Sequence, residues 1–181
     1  MMPKDVLDEH IARIADGDKS ALAAFYQHVR TAVYSYALSL LKNRADAEDV
    51  LHDTILEVWR SAAKYESMGK PMAWVMTITR NLCFKILAKR SRVTDEPPDE
   101  LILPDDAGMT DEDRVVLLAC MDELADDERE IVIMHAISGL KHREIAAILK
   151  QPLSTVISRY NRAIKKLRVK LSEEGGERRG K

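Results

Sequence analysis

The amino-acid sequence predicts an all-α protein built from two small helical domains that an acidic, proline-containing linker joins. Three observations predict this fold. Long segments rich in Ala, Leu, Glu, Lys and Arg repeat apolar residues at helical spacing, and only 7 Gly and 6 Pro occur in 181 residues. A segment at 91–110 interrupts these patterns with three prolines and six acids. We therefore expect domains at 1–92 and 111–172, a linker at 93–110 and a disordered tail at 173–181.

The formal net charge is only −2, but the charges are unevenly distributed along the chain. Residues 95–130 contain 15 acidic and 2 basic side chains, whereas residues 141–181 contain 12 basic and 4 acidic ones. This asymmetry indicates a basic face for a polyanion beside an acidic segment that has another role. The charged N-terminus and the lack of a long apolar run argue against a signal peptide and against membrane insertion, so we expect a cytoplasmic protein.

The first domain is predicted to contain four helices. An amphipathic helix covers 4–16, and Asp18 is expected to cap the second helix by accepting hydrogen bonds from its first free N–H groups. The third helix covers roughly 45–64. Pro71 suits the first turn of the fourth helix, because its missing N–H would have no helical partner there. Four amphipathic helices within about ninety residues are enough to form a bundle that folds alone.

Acidic side chains line one face of the third predicted helix. Asp49, His52 and Asp53 are spaced to share that face, and Glu57 follows one turn later. An acid-x-x-His pair is half of the di-metal site found in some helical bundles, but such a site needs a second pair, which the sequence lacks. We therefore expect no metal here and favour a solvated acidic face or a protein-contact surface.

The fourth predicted helix carries a basic face, and aromatic residues stand near its start. Tyr65 lies in the preceding loop and Trp74 in the first turn. Basic side chains bind phosphates, and aromatic rings can receive unstacked bases. The alternative is a solvated basic helix with Trp74 in the core. The exposed basic and amide positions predicted for this face are Lys70, Arg80, Asn81, Lys85 and Lys89.

No catalytic constellation is evident in the sequence. Cys83 and Cys120 are isolated within apolar helical patterns, so both are expected to be reduced core thiols. His135 and His142 lack the spacing of metal ligands, and no glycine-rich phosphate loop occurs. We therefore expect neither an enzyme nor a bound cofactor.

The second predicted domain ends in a helix-turn-helix pattern at 141–171. Helices at 111–124 and 127–137 precede it, and Gly139 stands where a left-handed residue would end the latter helix. Pro152 separates a short helix from a longer one that is apolar on one face and basic elsewhere. This pattern is typical of a DNA-binding motif, and the alternative is an ordinary helical hairpin with a solvated basic face. Either Ser154 or Thr155 is expected to cap the longer helix.

Three segments together resemble a bacterial RNA polymerase sigma factor of the extracytoplasmic-function (ECF) group of the sigma-70 family. DAEDVLHDTILEVWR is similar to the helix that binds core polymerase, and PMAWVMTITRNLCFKILAKR to the helix that recognises the downstream promoter element. The segment from ELADDERE to AIKKLR is similar to the C-terminal domain that recognises the upstream element. The resemblance implies a region 2-like bundle, a region 4-like helix-turn-helix domain, and a role in promoter recognition, melting and transcription initiation.

The resemblance also implies which side chains bind which partner. Asp49, His52, Asp53 and Glu57 would contact core RNA polymerase. Lys70, Arg80, Asn81, Lys85 and Lys89 would hold the melted strand of the downstream element. Ser154, Thr155, Ser158, Arg159, Arg162, Lys165 and Lys166 would contact the upstream double-stranded DNA. An anti-sigma factor, which this group commonly has, is a further candidate partner.

The chain departs from the family pattern at several of these positions. His52 replaces the usual Gln, and Lys85 replaces a common Asp in the fourth helix. Ser154 stands for the usual Gly before Thr-Val, and Lys150 and Gln151 replace the usual turn Gly. Two alternatives to a sigma factor remain open. One is a free-standing helix-turn-helix regulator, which would not need the acidic third helix, and the other, more remote, is a helical-bundle metal enzyme.

Overall fold

The computed structural model describes the backbone of residues 4–90 and 121–178 and the side chains of residues 6–90 and 121–172. The described residues form α-helices, one 3-10 turn and connecting loops, which confirms the predicted all-α class. The linker predicted at 93–110, nearly all of the helix predicted at 111–124, and Cys120 lie outside the described residues. No helix in the described part is long and apolar enough to cross a membrane.

Four helices form the N-terminal half. They are α1 (Lys4–Ala15), α2 (Lys19–Leu41), α3 (Arg44–Ser61), which continues into a 3-10 turn at Ala62–Lys64, and α4 (Pro71–Arg90). Their apolar faces meet in a core to which every helix contributes. Its fully buried members include Ile11 of α1, Phe25 and Val29 of α2, Val58 of α3 and Val75 of α4. Burial of these side chains supplies the main driving force that holds the bundle together.

Local signals begin the helices of this half where the sequence predicted. Asp18 Oδ1 accepts hydrogen bonds from the backbone N–H of Ser20 at 2.8 Å and of Ala21 at 3.2 Å, which confirms the predicted cap. The side-chain hydrogen bond from Ser20 and that from Arg13 hold the pKa of Asp18 well below its usual range. Pro71 is the first residue of α4. The connection between α2 and α3 is short, because Asn43 caps α3 through the N–H of Asp46.

The described part of the C-terminal half contains α5 (Asp126–Ala136), α6 (His142–Leu149) and α7 (Leu153–Arg178). The boundaries of α7 correct two predictions. It begins at Leu153, so Ser154 and Thr155 lie inside its first turn instead of capping it. Its backbone remains helical to Arg178, so the prediction of a disordered tail from residue 173 is wrong for residues 173–178.

Two left-handed residues shape the turns of the C-terminal half. Gly139 has φ 69°, as predicted, and follows α5. Lys150 has φ 54° and ends α6, where the backbone N–H of Gln151 donates to the carbonyl of Ala146 at 3.0 Å. This is the hydrogen-bond pattern of a helix end that usually contains glycine. The helix-turn-helix therefore closes although a lysine occupies its turn position.

The helix α5 is enclosed on several sides. Seven consecutive residues, 128–134, are buried, as expected for a helix that packs against more than one neighbour. It contacts α2 of the N-terminal half and α7 of its own half. One continuous apolar core therefore extends from Tyr36 and Met76 to Ile131, Met134 and Val156. In this arrangement the two halves are packed together.

Candidate nucleic-acid and protein-binding surfaces

The outer side of α3 presents the four residues predicted to bind a protein. Asp49, His52, Asp53 and Glu57 are all exposed, because Val50, Leu51, Thr54 and Val58 turn the opposite side of the helix into the core. His52 donates its Nδ1–H to the carbonyl of Glu48 at 2.9 Å, since a carbonyl oxygen can only accept.

This α3 face also has an apolar centre, which was not predicted from the sequence. Leu56 follows His52 and Asp53 by four and three residues, so it lies on the same side of the helix. Its side chain is 49% exposed. An exposed leucine ringed by charged residues is typical of a protein-contact surface, whose centre is more apolar than its rim. Within the described residues, no three His, Cys, Asp or Glu side chains gather as a metal site.

The basic face of α4 is only partly as predicted. Asn81, Lys85 and Lys89 are exposed on α4, and Lys70 is exposed immediately before it. Arg80 was predicted to be exposed, and this prediction is wrong. Its side chain is 26% exposed, and its Nε lies 3.1 Å from Oε1 of Glu130 in α5.

Aromatic residues surround the start of α4. Trp74 is partly buried against the N-terminal core, and its ring lies 4.6 Å from that of Tyr65 between centroids. The Tyr65 hydroxyl donates to Asp8 at 2.6 Å, and partial burial together with this carboxylate raises the pKa of the hydroxyl. Further along α4, the guanidinium of Arg80 lies 4.3 Å above the ring of Phe84, which is 42% exposed. Trp74 is therefore anchored in the core and also borders the surface at the start of α4.

A cleft separates α4 and its preceding loop from α6. Aromatic and apolar side chains line part of it, and five cations, two acids and two uncharged polar side chains line the remainder. Lys70, Arg80 and Asn81 were predicted for a nucleic-acid surface. The sequence did not indicate the other three cations, because one belongs to the 3-10 turn and two belong to α6 and the residue that ends it, which only the fold brings beside α4. These are Lys64, Arg143 and Lys150.

Exposed polar residues form a stripe along α7. Ser154, Ser158, Asn161, Lys165 and Arg168 recur at intervals of three and four residues and all are exposed. Asn161 was not among the predicted DNA-binding residues, although its spacing between Ser158 and Lys165 places it on the same side. Because the apolar positions of α7 pack on α5 and α6, this stripe is the part of the helix that a DNA groove could reach.

Three of the predicted upstream contacts instead lie towards α5. Arg159 donates to Gln151 at 2.8 Å and pairs with Asp127 at 3.1 Å. Lys166 Nζ lies 2.6 Å from Glu128 Oε2, and Arg162 Nε lies 3.7 Å from the other oxygen of that carboxylate. Burial by itself raises the pKa of Glu128, but its hydrogen bonds and these two cations outweigh burial and hold the pKa below its usual value. The acids at the start of α5 therefore neutralise part of the basic charge of α7.

The comparisons with known proteins cover both halves of the chain. The family model for sigma-70 region 2 matches residues 25–93, and that for sigma-70 region 4 matches residues 114–167. The ECF RNA polymerase sigma factor SigK of Mycolicibacterium vanbaalenii is 31% identical over 173 residues, with 90% of this chain and 87% of SigK covered. The chain belongs to the ECF sigma factors of the sigma-70 family.

Other relatives agree with this membership. SigK of Mycobacterium tuberculosis H37Rv is 27% identical, with 90% of this sigma factor and 91% of SigK covered. The sigma factor RpoE of Bartonella quintana, solved with the anti-sigma factor NepR, has a TM-score of 0.67 and 27% identity, with 82% of this chain and 97% of RpoE covered. CnrH, solved with the cytosolic domain of CnrY, shares the fold at a TM-score of 0.64 and 20% identity, with 93% and 98% covered.

The matched segments place the surfaces within the sigma-factor architecture. The acidic face of α3 and the basic face of α4 both lie within the region 2 match, and α6 and most of α7 lie within the region 4 match. A sigma factor binds core RNA polymerase and directs promoter recognition and transcription initiation. Two alternatives were considered from the sequence, a free-standing helix-turn-helix regulator and a helical-bundle metal enzyme. Neither is needed to explain any surface of the described residues.

Proposed function

We propose that this sigma factor docks on core RNA polymerase through the outer face of α3. Leu56 would enter an apolar pocket, and the exposed acids around it, Asp49, Asp53 and Glu57, would meet basic side chains of the polymerase. An apolar centre supplies most of the affinity of such a contact, while rim charges steer association and orientation. His52 would remain a donor or acceptor at the rim through Nε2.

The melted strand of the downstream promoter element would lie along α4. Asn81, Lys85 and Lys89 would contact its backbone or bases, and Lys70 would approach it from the preceding loop. Trp74 and Tyr65 border this surface and would stack on an extruded base. The free energy of this stacking would offset the cost of extruding the base, which is on the order of a few kcal/mol. Arg80 would join the contact once it is released from Glu130.

The stripe of α7 would contact the upstream element in the major groove. Ser154, Thr155 and Ser158 lie near the N-terminus of the helix, the part that approaches base edges in helix-turn-helix proteins. Asn161 is suited to adenine, and Lys165 to a phosphate. Arg159 and Arg162 stand at the edge of this stripe. Lys166 would contribute charge from the side that faces α5.

The observation that carries the proposal is that one chain contains both sigma-70 segments and that each presents exposed side chains of the required kind. The chain would act in the cytoplasm, where its polymerase and DNA are found, and would recruit the catalytic enzyme without catalysing a reaction itself. An anti-sigma factor is a further proposed partner, since the similar sigma factor RpoE of Bartonella quintana was solved with the anti-sigma factor NepR.

Reconstitution with core polymerase tests the proposal. Purified chain and core enzyme should co-elute, and sequencing of the DNA that the holoenzyme binds should yield a promoter from which transcription starts at a defined site. Failure to co-elute, with DNA binding retained, would support a free-standing regulator instead.

Substitutions on α3 test the docking surface. Leu56→Ser should weaken core binding by about 1–3 kcal/mol, because it removes a central apolar contact. The matched control is Leu171→Ser, since Leu171 is exposed to a similar degree on α7. Asp53→Ala together with His52→Ala should also weaken core binding, whereas Asp16→Ala, in the turn after α1, should not. Equal effects of the test and control variants would show that α3 is not the docking surface.

A further inference from the structure

A buried carboxylate joins the two halves of the chain. The Glu130 side chain is only 11% exposed, and its Oε1 accepts hydrogen bonds from the Tyr36 hydroxyl at 2.6 Å and from Arg80 Nε at 3.1 Å. Tyr36 is fully buried, and its burial together with the nearby Glu130 carboxylate raises the pKa of the hydroxyl, which therefore remains a donor. One carboxylate oxygen of α5 thus accepts a hydrogen bond from α2, through Tyr36, and another from α4, through Arg80.

We propose that Glu130 occupies Arg80 in place of a DNA phosphate and holds the chain in a closed state. This inference rests on the proposed function of α4. A guanidinium binds carboxylate and phosphate through the same N–H groups, so the bond to Glu130 and a bond to a DNA strand compete. The competitor belongs to the same chain and is held in position, which gives it a high effective concentration.

Other contacts show that the closed state covers more than one side chain. Ser138, between α5 and α6, contacts Met76 of α4, with 3.6 Å from Oγ to Sδ. Lys42, after α2, lies 3.7 Å from Asp126 at the start of α5. On the other side, Arg143 and Lys150 of the α6 region face Arg80 and Asn81 across the cleft. Asn81, Lys85 and Lys89 are exposed in the closed state, but a strand that reached Arg80 would have to displace Glu130 and would meet α6. Full contact with the α4 face therefore requires the halves to separate.

The closed state has a defined energetic basis. The apolar contacts between α5 and α2 stabilise it, while burial of Glu130 and Arg80 is tolerated because each finds a partner. Removing one partner leaves the other polar group buried and unsatisfied, which weakens the closed state strongly. In the open state, by contrast, Glu130, Arg80 and the Tyr36 hydroxyl can be hydrated. Polymerase or single-stranded DNA that binds only the open state shifts the population towards it.

Zero-length cross-linking of the full chain with a carbodiimide measures the closed state directly. Lys42 and Asp126 belong to different halves, and their side chains are 43% and 77% exposed, so their ion pair should become an amide that mass spectrometry detects. Lys170 and Glu123, 2.8 Å apart, both belong to the C-terminal half and provide the internal control. Core polymerase should suppress the first cross-link and leave the second.

Two variants test whether Glu130 holds the halves together and blocks DNA. Glu130→Gln removes the charge that pairs with Arg80, and Tyr36→Phe removes only a hydroxyl. Both should lower the Lys42–Asp126 cross-link and raise affinity for a labelled single-stranded oligodeoxynucleotide of mixed sequence by about three- to tenfold, since more of the chain is competent to bind. Glu9→Gln on α1 changes the net charge equally and should do neither.

The outcomes separate this inference from the proposed function. The closed state is overturned if the Lys42–Asp126 cross-link is absent from the wild-type chain. It is also overturned if both variants leave this cross-link unchanged while the Lys170–Glu123 control cross-link persists. A cross-link that falls without a gain in DNA affinity beyond that of Glu9→Gln overturns the competition for Arg80. Failure of the chain to bind core polymerase would instead contradict the proposed function and would leave the cross-linking result standing.

Discussion

Lys166 of α7 donates a hydrogen bond to Glu128 of α5, with 2.6 Å between Nζ and Oε2. The same carboxylate oxygen accepts a bond from the backbone N–H of Ala125, 3.3 Å away, at the start of α5. One buried acid therefore satisfies a free N–H of one helix and attaches a second helix to it. The arrangement makes Lys166 a residue that positions α7, whereas the resemblance to sigma factors implied only a contact with upstream DNA.

Loss of this contact should destabilise the C-terminal half. Glu128→Gln and Lys166→Met are expected to lower the free energy of unfolding by about 1–3 kcal/mol, because both disrupt the charged contact between α5 and α7 and Lys166→Met leaves the buried Glu128 carboxylate without this partner. Lys165→Met is the control, since Lys165 is exposed next to Lys166. Chemical denaturation followed by circular dichroism measures the difference. Similar values for Lys165→Met and Lys166→Met would show that the ion pair does not stabilise the fold.

Acid pH should weaken the helix-turn-helix through His142. Burial, followed by the neighbouring His135, lowers the pKa of His142 from 6.5, and the two rings stack with centroids 4.5 Å apart beside Tyr160. The unfolded chain therefore binds a proton at a higher pH than the folded chain does. Stability from this group is present above about pH 6.5 and is lost as the pH falls below it.

Thermal unfolding between about pH 7.5 and 5.5 tests this pH dependence, because the unperturbed histidine pKa lies within that range. His142→Gln should reduce the fall in Tm compared with the wild-type chain. His10, which stacks on His28 in the N-terminal half and also has a lowered pKa, contributes in the same direction. A double variant with His10→Gln should therefore flatten the profile further. An unchanged slope in both variants would contradict the assignment.

The turn of the helix-turn-helix contains a testable conformational strain. Lys150 adopts φ 54°, a conformation that costs L-residues roughly 1–2 kcal/mol and glycine almost nothing. Lys150→Gly should raise stability by up to about 1 kcal/mol, because the relief of strain exceeds the greater entropy of glycine in the unfolded chain. Lys150→Ala removes the same charge and keeps the strain. If alanine stabilises as much as glycine, the charge and not the backbone is responsible.

Local features of the fold could be predicted from the sequence, and contacts between distant segments could not. Asp18, Pro71 and Gly139 act through neighbouring backbone groups, so their residue types were sufficient to predict the helix ends. Arg80 was assigned to the exposed side by helical spacing, which identifies the apolar face of a helix but not the acid that approaches from elsewhere. Its partner Glu130 is fifty residues away, and periodicity contains no information on that pairing.

Contacts between distant segments also explain why Asn161 was not predicted as a DNA-binding residue. The contacts predicted for α7 included the cations Arg159, Arg162 and Lys166 but not Asn161. In the structure, acids of α5 engage these three cations, whereas the uncharged Asn161 stands in the exposed stripe. Charge identifies a basic helix, but the position of neighbouring acids decides which of its side chains are available.

Upstream DNA binding should therefore depend on Asn161 as well as on Arg159. Asn161→Ala is expected to weaken binding of the full chain with core polymerase by about 1–3 kcal/mol on its own promoter and little on a scrambled upstream element, as for a base contact. Arg159→Ala should show the same sequence dependence once the arginine leaves Asp127.

Lys165→Ala should weaken both DNAs equally and reduce the salt dependence, because a phosphate contact carries no sequence information. Lys19→Ala on α2 provides the charge-matched control. An equal loss on both DNAs for Asn161→Ala would show that the stripe contacts only the backbone, and base recognition would then have to come from Ser154, Thr155 and Ser158.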